Sequence, residues 1–239
     1  YEKEYNNIIY FVIGDFIQKD ISNYFKSNTP LKTPSIPSFN YNQLLSFKKQ
    51  ILYFNKKTQK IVYFLIAFPL KITFSNPYFI YLNTLCSLLQ TILFIKLRTE
   101  LRLIYNIKIY PSINLTSISI YINIDVTTDK ALTVINYLFK FLHSFKKNDF
   151  FKEYFNGYKK KKKYILENLS SNNSNNKIFS EFNNQLFYKI YSPEYKLINN
   201  CELNNMIQKI DYLFFKKFIK LYLDFNSVFI SYQSPIKII

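Results

Sequence analysis

Ser117 to Val126 constrains the fold most. Ile118, Ile120, Ile122 and Ile124 alternate there with Ser119, Tyr121, Asn123 and Asp125. Successive side chains of a strand point to opposite faces, so this is a strand with one apolar face and one polar face. A one-residue slip in register would expose the whole isoleucine row, so the apolar face must be covered. Further runs rich in β-branched and aromatic residues predict strands at 8–13, 51–54, 61–70, 105–110 and 228–232. Helical spacing predicts helices at 17–25, at 129–145 with Thr128 or Asp129 as its cap, and at 148–169, 178–190 and 203–223. Pro111-Ser112 is read as the end of the 105–110 strand. Strands and helices fall in separate groups. That implies an α+β, two-layer sandwich: a mainly antiparallel sheet covered by helices. Residues 1–38 read as a lead-in of strand, helix and Pro-rich connector (Pro30, Pro34, Pro37), and residues 39–239 as the domain proper.

One segment tests that reading. Ile72 to Ile95 carries no charge between Lys71 and Lys96 and is long enough to span a bilayer. Yet Asn83, Ser87, Gln90 and Thr91 recur at three-to-four spacing, a polar stripe on an otherwise apolar helix. Asn76 and Pro77 suit a helix start. The segment is therefore expected to be a core helix with one wet face, and no membrane span is expected. The opening residues place acidic and basic side chains before any apolar run, unlike a signal peptide. The chain opens on Tyr1 rather than Met and reads as a portion of a longer protein.

Composition excludes several functions. Gly14 and Gly157 are the only glycines, so neither a G-x-G-x-x-G loop nor a Walker A loop can be written. His143 is the only histidine, and Cys86 and Cys201 are the only cysteines, too few for a disulfide scaffold or a zinc knuckle. They favour a reducing, intracellular compartment, with Cys86 a buried thiol. Lys and Arg number 32 against 15 Asp and Glu, a net charge of +17. That suits a polyanion. Lysine is also an amino acid of AT-rich codons, like the abundant Asn, Ile, Tyr and Phe, and it is scattered along the chain. Only Lys159 to Lys163 forms a run, read as a solvated helix face. No basic stripe interleaved with aromatics is evident, so nucleic acid is not the expected partner. Asp125 and Asp129 read as strand exterior and helix cap, and His143 as a hydrogen-bonded core or edge residue.

Two segments carry a family resemblance. Asn7-Ile8-Ile9-Tyr10-Phe11-Val12-Ile13-Gly14-Asp15-Phe16, followed by a helix ending Tyr24-Phe25, resembles the strand-Gly-Asp-helix element of the pitrilysin/insulinase-type zinc metallopeptidases. Leu97-Arg98-Thr99-Glu100-Leu101-Arg102-Leu103-Ile104-Tyr105 resembles that family's Leu-Arg-(Thr/Glu)-x-x-x-Leu-x-Tyr segment. The long helix before it, the alternating strand after it and the paired helices of 129–169 stand where the family has them. The resemblance implies one C-terminal-type, non-catalytic domain. The inverted His-x-x-Glu-His signature is absent, so this chain is expected to hold no cofactor, with zinc on a catalytic domain or subunit as its partner. Ile104 stands where a glycine is usual, and Leu88-Leu89-Gln90-Thr91 lacks the Gly-Gly of many members.

On the residues alone, Arg98 is a helix-end cation and Tyr105 a strand aromatic among many. The resemblance implies more: both would be substrate-binding residues reaching toward the partner's zinc site. Tyr would donate to the oxyanion, and Arg would hold a carbonyl or carboxylate of a peptide substrate. It also admits a catalytically dead scaffold like the core proteins of respiratory complex III, for which Ile104 speaks.

Overall fold

In a computed structural model of the chain, residues 49–70, 76–113, 118–147, 149, 151–169 and 200–239 are described, together with Lys19, Asn23, Lys196 and Ile198. The strand expected at 8–13, the Pro-rich connector and the helix expected at 178–190 lie outside them. So does the 17–25 helix, apart from Lys19 and Asn23, which are helical.

Among the described residues five strands form one sheet: β1 (Gln50–Asn55), β2 (Ile61–Leu70), β3 (Asn106–Ile113), β4 (Ile118–Thr127) and β5 (Phe229–Ser234), in the order β1-β5-β2-β4-β3. All pairings are antiparallel except β1 with β5. The alternation in β4 does what its period demands. Ile118, Ile120, Ile122, Ile124 and Val126 are at most 2% exposed. Their partners across the β2 ladder are Leu70, Phe68, Ile66, Phe64 and Val62, equally buried. Full burial stabilises each such side chain by about 1.5–3 kcal/mol. The other face carries Tyr63, Leu65, Tyr121, Asn123 and Asp125, which stay partly or fully exposed.

Prolines mark where a strand lacks a neighbour. Strand β3 runs through Pro111 to Ile113 instead of ending at Tyr110 as the sequence suggested. It can do so because it is an edge strand among the described residues, where a missing N–H is tolerated. Pro69 lies in β2 beyond Ala67, the last β2 residue that β5 pairs.

The helices cover the apolar face. Helix α1 (Asn76–Leu93) continues into a π-helical stretch, Phe94–Glu100. By length and composition it could cross a membrane. In this fold Leu82, Leu85, Leu89 and Leu93 are fully buried. Its polar stripe is only partly wet. Gln90 turns onto β3, where its Nε2 donates to the Ile107 carbonyl at 2.8 Å and its Oε1 accepts from the Ile109 amide at 2.7 Å. The side chain thus closes backbone positions that an edge strand leaves open. Thr91 is exposed and donates back to the Ser87 carbonyl.

Helix α2 (Ala131–Lys147) packs Val134, Ile135, Leu138, Leu142 and Phe145 into the core. Of its two expected caps, Thr128 and Asp129, Thr128 turns its hydroxyl to the Lys60 carbonyl at 3.3 Å, while its own carbonyl accepts from the Ala131 amide at 3.4 Å. Helix α3 (Lys152–Leu169) follows. The single helix expected at 203–223 is two, α4 (Asn200–Gln208) and α5 (Tyr212–Tyr222). The break lies at Asp211, whose extended backbone (φ −77°, ψ 133°) lets its carboxylate accept from the Phe214 amide at 2.8 Å. A dedicated cap there outcompetes continued helical spacing. Phenylalanines fill the joint between helices: Phe145 stacks on Phe151 at 4.4 Å and Phe155 on Phe215 at 5.1 Å.

Two predictions follow from this packing. Gln90→Ala should lose about 1–3 kcal/mol, because the Ile107 and Ile109 backbone groups lose their partner. Denaturant unfolding should show that loss, with faster amide exchange at Ile109, while Thr91→Ala should stay within about 0.5 kcal/mol of the parent.

Asp149 receives the Lys216 ammonium at 2.6 Å and the Tyr212 hydroxyl at 2.8 Å. The Lys216 hydrogen bond, then that of Tyr212, hold its carboxyl below the usual range. A depressed folded value means the stabilisation is present above the unfolded value of about 4 and is lost as pH falls through the folded one. Melting temperatures across that acid range should therefore separate the parent from Asp149→Asn above about pH 4 and converge below it.

Candidate functional site

The site suggested by the sequence lies where α1 gives way to β3. The π-helical stretch widens the last turn. The Leu101 amide donates to the Lys96 carbonyl at 3.0 Å, five residues back, and the Leu103 amide to the Leu97 carbonyl at 2.8 Å. Such insertions recur at functional positions. Leu97 anchors the stretch, fully buried, while Leu101 is exposed. Lys96 and Glu100 form an exposed ion pair at 2.8 Å, which contributes little.

Arg98 is exposed, but its Nη1 donates to the Ile104 carbonyl at 2.9 Å. Ile104 is 3% exposed, so the side chain absent from a glycine at this position is here part of the core. Tyr105 comes next. Its amide donates to the Asp125 carbonyl at 2.9 Å, fastening it to the end of β4, and it remains 51% exposed. The guanidinium is therefore bonded to the peptide group immediately ahead of Tyr105. A guanidinium carries five N–H donors, so this bond leaves most of its capacity for another acceptor.

The turn between them is shaped by Arg102, with φ 51° in the left-handed region. Its carbonyl accepts from Lys130 Nζ at 3.3 Å, tying the turn to the start of α2. Nothing in the sequence marked this residue, because no glycine or asparagine stands there.

The partly exposed second face of the sheet begins near this corner, where the Tyr105 amide bonds the Asp125 carbonyl. Tyr110 and Tyr121 sit side by side on it, ring centroids 5.8 Å apart, and the Asn123 amide donates to the Tyr110 hydroxyl at 3.3 Å. Asp125 lies on the same face, partly exposed.

The remaining candidates are placed elsewhere. His143 is exposed and stacks on Phe225 at 4.0 Å. Of the core or edge positions expected for it, it takes the edge, packed on an aromatic ring. Cys86 is 2% exposed, and burial pushes its thiol up; Cys201 is exposed. Among the described residues no three His, Cys, Asp or Glu side chains gather at one point. As a set these described residues do not fit a zinc ion.

A mainly antiparallel sheet with helices packed on its apolar face, joined through a long helix, a turn at Arg98–Tyr105 and β3, defines a two-layer α+β domain. The sequence model of the Peptidase M16 inactive domain matches residues 4–162. The chain belongs to that family, the pitrilysin/insulinase-type group to which Leu97–Tyr105 pointed. Solved structures agree on the fold. The first half of the periplasmic protease PqqL from Escherichia coli superposes with a TM-score of 0.69 at 13% identity, over 94% of this chain and 50% of that one. A chain of complex III2 from Candida albicans gives 0.69 at 12% identity, over 94% and 54%. The peptidase M16 inactive domain from Pseudomonas fluorescens gives 0.62 at 13% identity, over 79% and 44%. The chain thus spans about half the length of the solved chains it matches. No curated protein sequence matches it.

The positive φ yields a stability prediction. A side chain in the left-handed region costs about 1–2 kcal/mol, and glycine's extra freedom when unfolded offsets about 0.5–1. Arg102→Gly should therefore stabilise the chain by about 0.5–1 kcal/mol, since the Lys130 bond uses the backbone carbonyl and survives. A melt showing Arg102→Gly less stable than the parent would count against strain at this turn.

Proposed function

We propose that this chain is the non-catalytic domain of a zinc metalloendopeptidase, forming part of a substrate chamber and assisting peptide hydrolysis at a zinc site on another domain or subunit. One observation carries the reading. Within an M16 inactive-domain fold, Arg98 donates to the carbonyl directly ahead of a half-exposed Tyr105. Arg98 is thereby tied to the backbone at Tyr105, whose amide is fastened in turn to Asp125 on the sheet face that also bears Tyr110 and Tyr121. An exposed phenol can donate to an oxyanion, and the remaining N–H groups of the guanidinium can hold a peptide carbonyl or carboxylate. The aromatic and amide groups of the open face suit an extended peptide running over it.

A second reading has its own support. The fold matches a chain of complex III2 as well as it matches a protease half. The Arg98–Ile104 bond could serve the fold alone, which would make the domain a scaffold. Nucleic-acid binding has less support, because several lysines are engaged internally: Lys146 with the Leu223 carbonyl, Lys159 with that of Ile210, and Lys216 with Asp149.

The experiment uses the protein that carries this domain with its catalytic partner. Tyr105→Phe should lower kcat by about a hundredfold or more, the loss of one oxyanion donor at about 2.7–4 kcal/mol, with no change in melting temperature. Arg98→Ala should raise KM and also destabilise by about 0.5–1.5 kcal/mol, because the Ile104 carbonyl loses its donor. Turnover within about twofold of the parent for Tyr105→Phe would hand the site to the scaffold reading.

A further inference from the structure

A cavity of about 590 Å³ opens between α1 and α3. Such a volume is in the range that holds a small organic ligand. Neither Arg98 nor Tyr105 lines it. From α1 come Ser87, Leu88 and Thr91, and from α3 come Tyr154, Tyr158 and Ile165. The wall is thus aliphatic and aromatic, with the Ser87 and Thr91 hydroxyls on the α1 side and the tyrosine hydroxyls on the α3 side. Burial pushes the Tyr158 hydroxyl above its ordinary range, while hydrogen bonding toward Thr84 and Ser87 of α1 acts the other way.

The cavity has an electrical direction. Glu153 lines it near the start of α3, and Lys161 and Lys162 line it about 12 Å further along that helix, at 1.5 Å per residue. The Lys162 ammonium lies over the Tyr158 ring, 5.9 Å from its centroid, so this cation faces the cavity wall. These two lysines belong to the basic run Lys159–Lys163. Its first member is engaged elsewhere, with Lys159 Nζ on the Ile210 carbonyl at 3.1 Å.

Gly157 is the second, independent observation. It lines the cavity in mid-helix, where glycine is less favourable than alanine by about 1 kcal/mol. None of the described glycines has positive φ. No neighbour crowds it either: a Cβ built there meets nothing within 4 Å. Neither backbone conformation nor close packing accounts for the residue. Gly157 is exposed, and a side chain there would project into the space bounded by the two tyrosines and the lysine pair.

We propose that this cavity is a binding site for a small amphiphilic monoanion, its apolar body against Leu88, Ile165 and the tyrosine rings and its anionic head at Lys161 and Lys162. The site is independent of peptide hydrolysis, and binding to it is read without any activity. The probe is sodium decanoate, titrated calorimetrically into the full chain, with decyltrimethylammonium as the charge-reversed control. Expected is saturable binding of one decanoate per chain, with the cationic control at least about tenfold weaker. Gly157→Leu should abolish binding by filling the cavity, while melting at the parent temperature or higher. Lys161→Gln with Lys162→Gln should weaken decanoate about fivefold or more and leave the fold unchanged, since both changes are at the helix surface. The proposal is overturned if decanoate does not saturate, if the cationic control binds as well, or if the folded double lysine variant binds with parental affinity. Undiminished binding by folded Gly157→Leu would overturn it as well.

Discussion

Everything in this domain hangs on the β2–β4 ladder. Val62, Phe64, Ile66, Phe68 and Leu70 face Val126, Ile124, Ile122, Ile120 and Ile118 across it, all nearly free of solvent. Cross-strand pairs of aromatic and β-branched side chains are favourable beyond their burial. The ladder also admits a single register, because moving one strand by a residue would present Tyr63, Asn123 and Asp125 to the core. Once that register is set, β3 and β5 have fixed seats on either side, and the helices have a continuous apolar surface to cover. The Tyr105 amide bonds the Asp125 carbonyl. The corner that carries Arg98 and Tyr105 is therefore positioned by the same strand that organises the core.

The corner itself depends on a second constraint, the junction of a helix with an edge strand. An edge strand offers unpaired backbone groups, and Gln90 satisfies those of Ile107 and Ile109 from the helix side. The π-helical stretch then reverses the chain over Leu97, and Arg98 closes the reversal on the Ile104 carbonyl. Core burial, a helix-to-strand hydrogen-bond pair and a side-chain-to-backbone closure succeed one another along the sequence. A residue chosen for substrate contact would thus also be part of the local fold. Replacing Arg98 therefore removes a bond of the fold, while the Tyr105 side chain stays half-exposed.

Features with a strong local period were legible in the sequence. The isoleucine alternation predicted β4 and its buried face, and the uncharged segment with its polar stripe predicted a core helix. The Arg/Tyr segment, read through its resemblance, marked the helix-to-strand corner. What was not legible depended on partners distant in the chain. The strands at 51–54 and 61–70 are neighbours in sequence, yet β5 lies between β1 and β2, and no local pattern announces such an insertion. Pro111 looked like a stop because its tolerance depends on the sheet edge. The 203–223 helix looked continuous because helical spacing carries on through Lys209–Asp211, while the Asp211 cap decides against it. Arg102 gave no sign of its left-handed backbone.

The lysine excess shows how charge count and charge use diverge. Lys146 donates to the Leu223 carbonyl and Lys159 to the Ile210 carbonyl, each beside the end of a helix, where a cation is favoured by the exposed carbonyls. Lys130 donates to the Arg102 carbonyl at the site's turn, and Lys216 pairs with Asp149. Their long apolar stems let them lie over aromatic rings as well: Lys146 over Phe225, Lys152 over Tyr212 and Lys159 over Phe155. Lysine and phenylalanine, both abundant in this chain, thus build caps and cation–π contacts. Net charge alone would have suggested a polyanion partner. The geometry assigns these cations to the fold, and Lys161 and Lys162 stand out because the surface they line is a cavity.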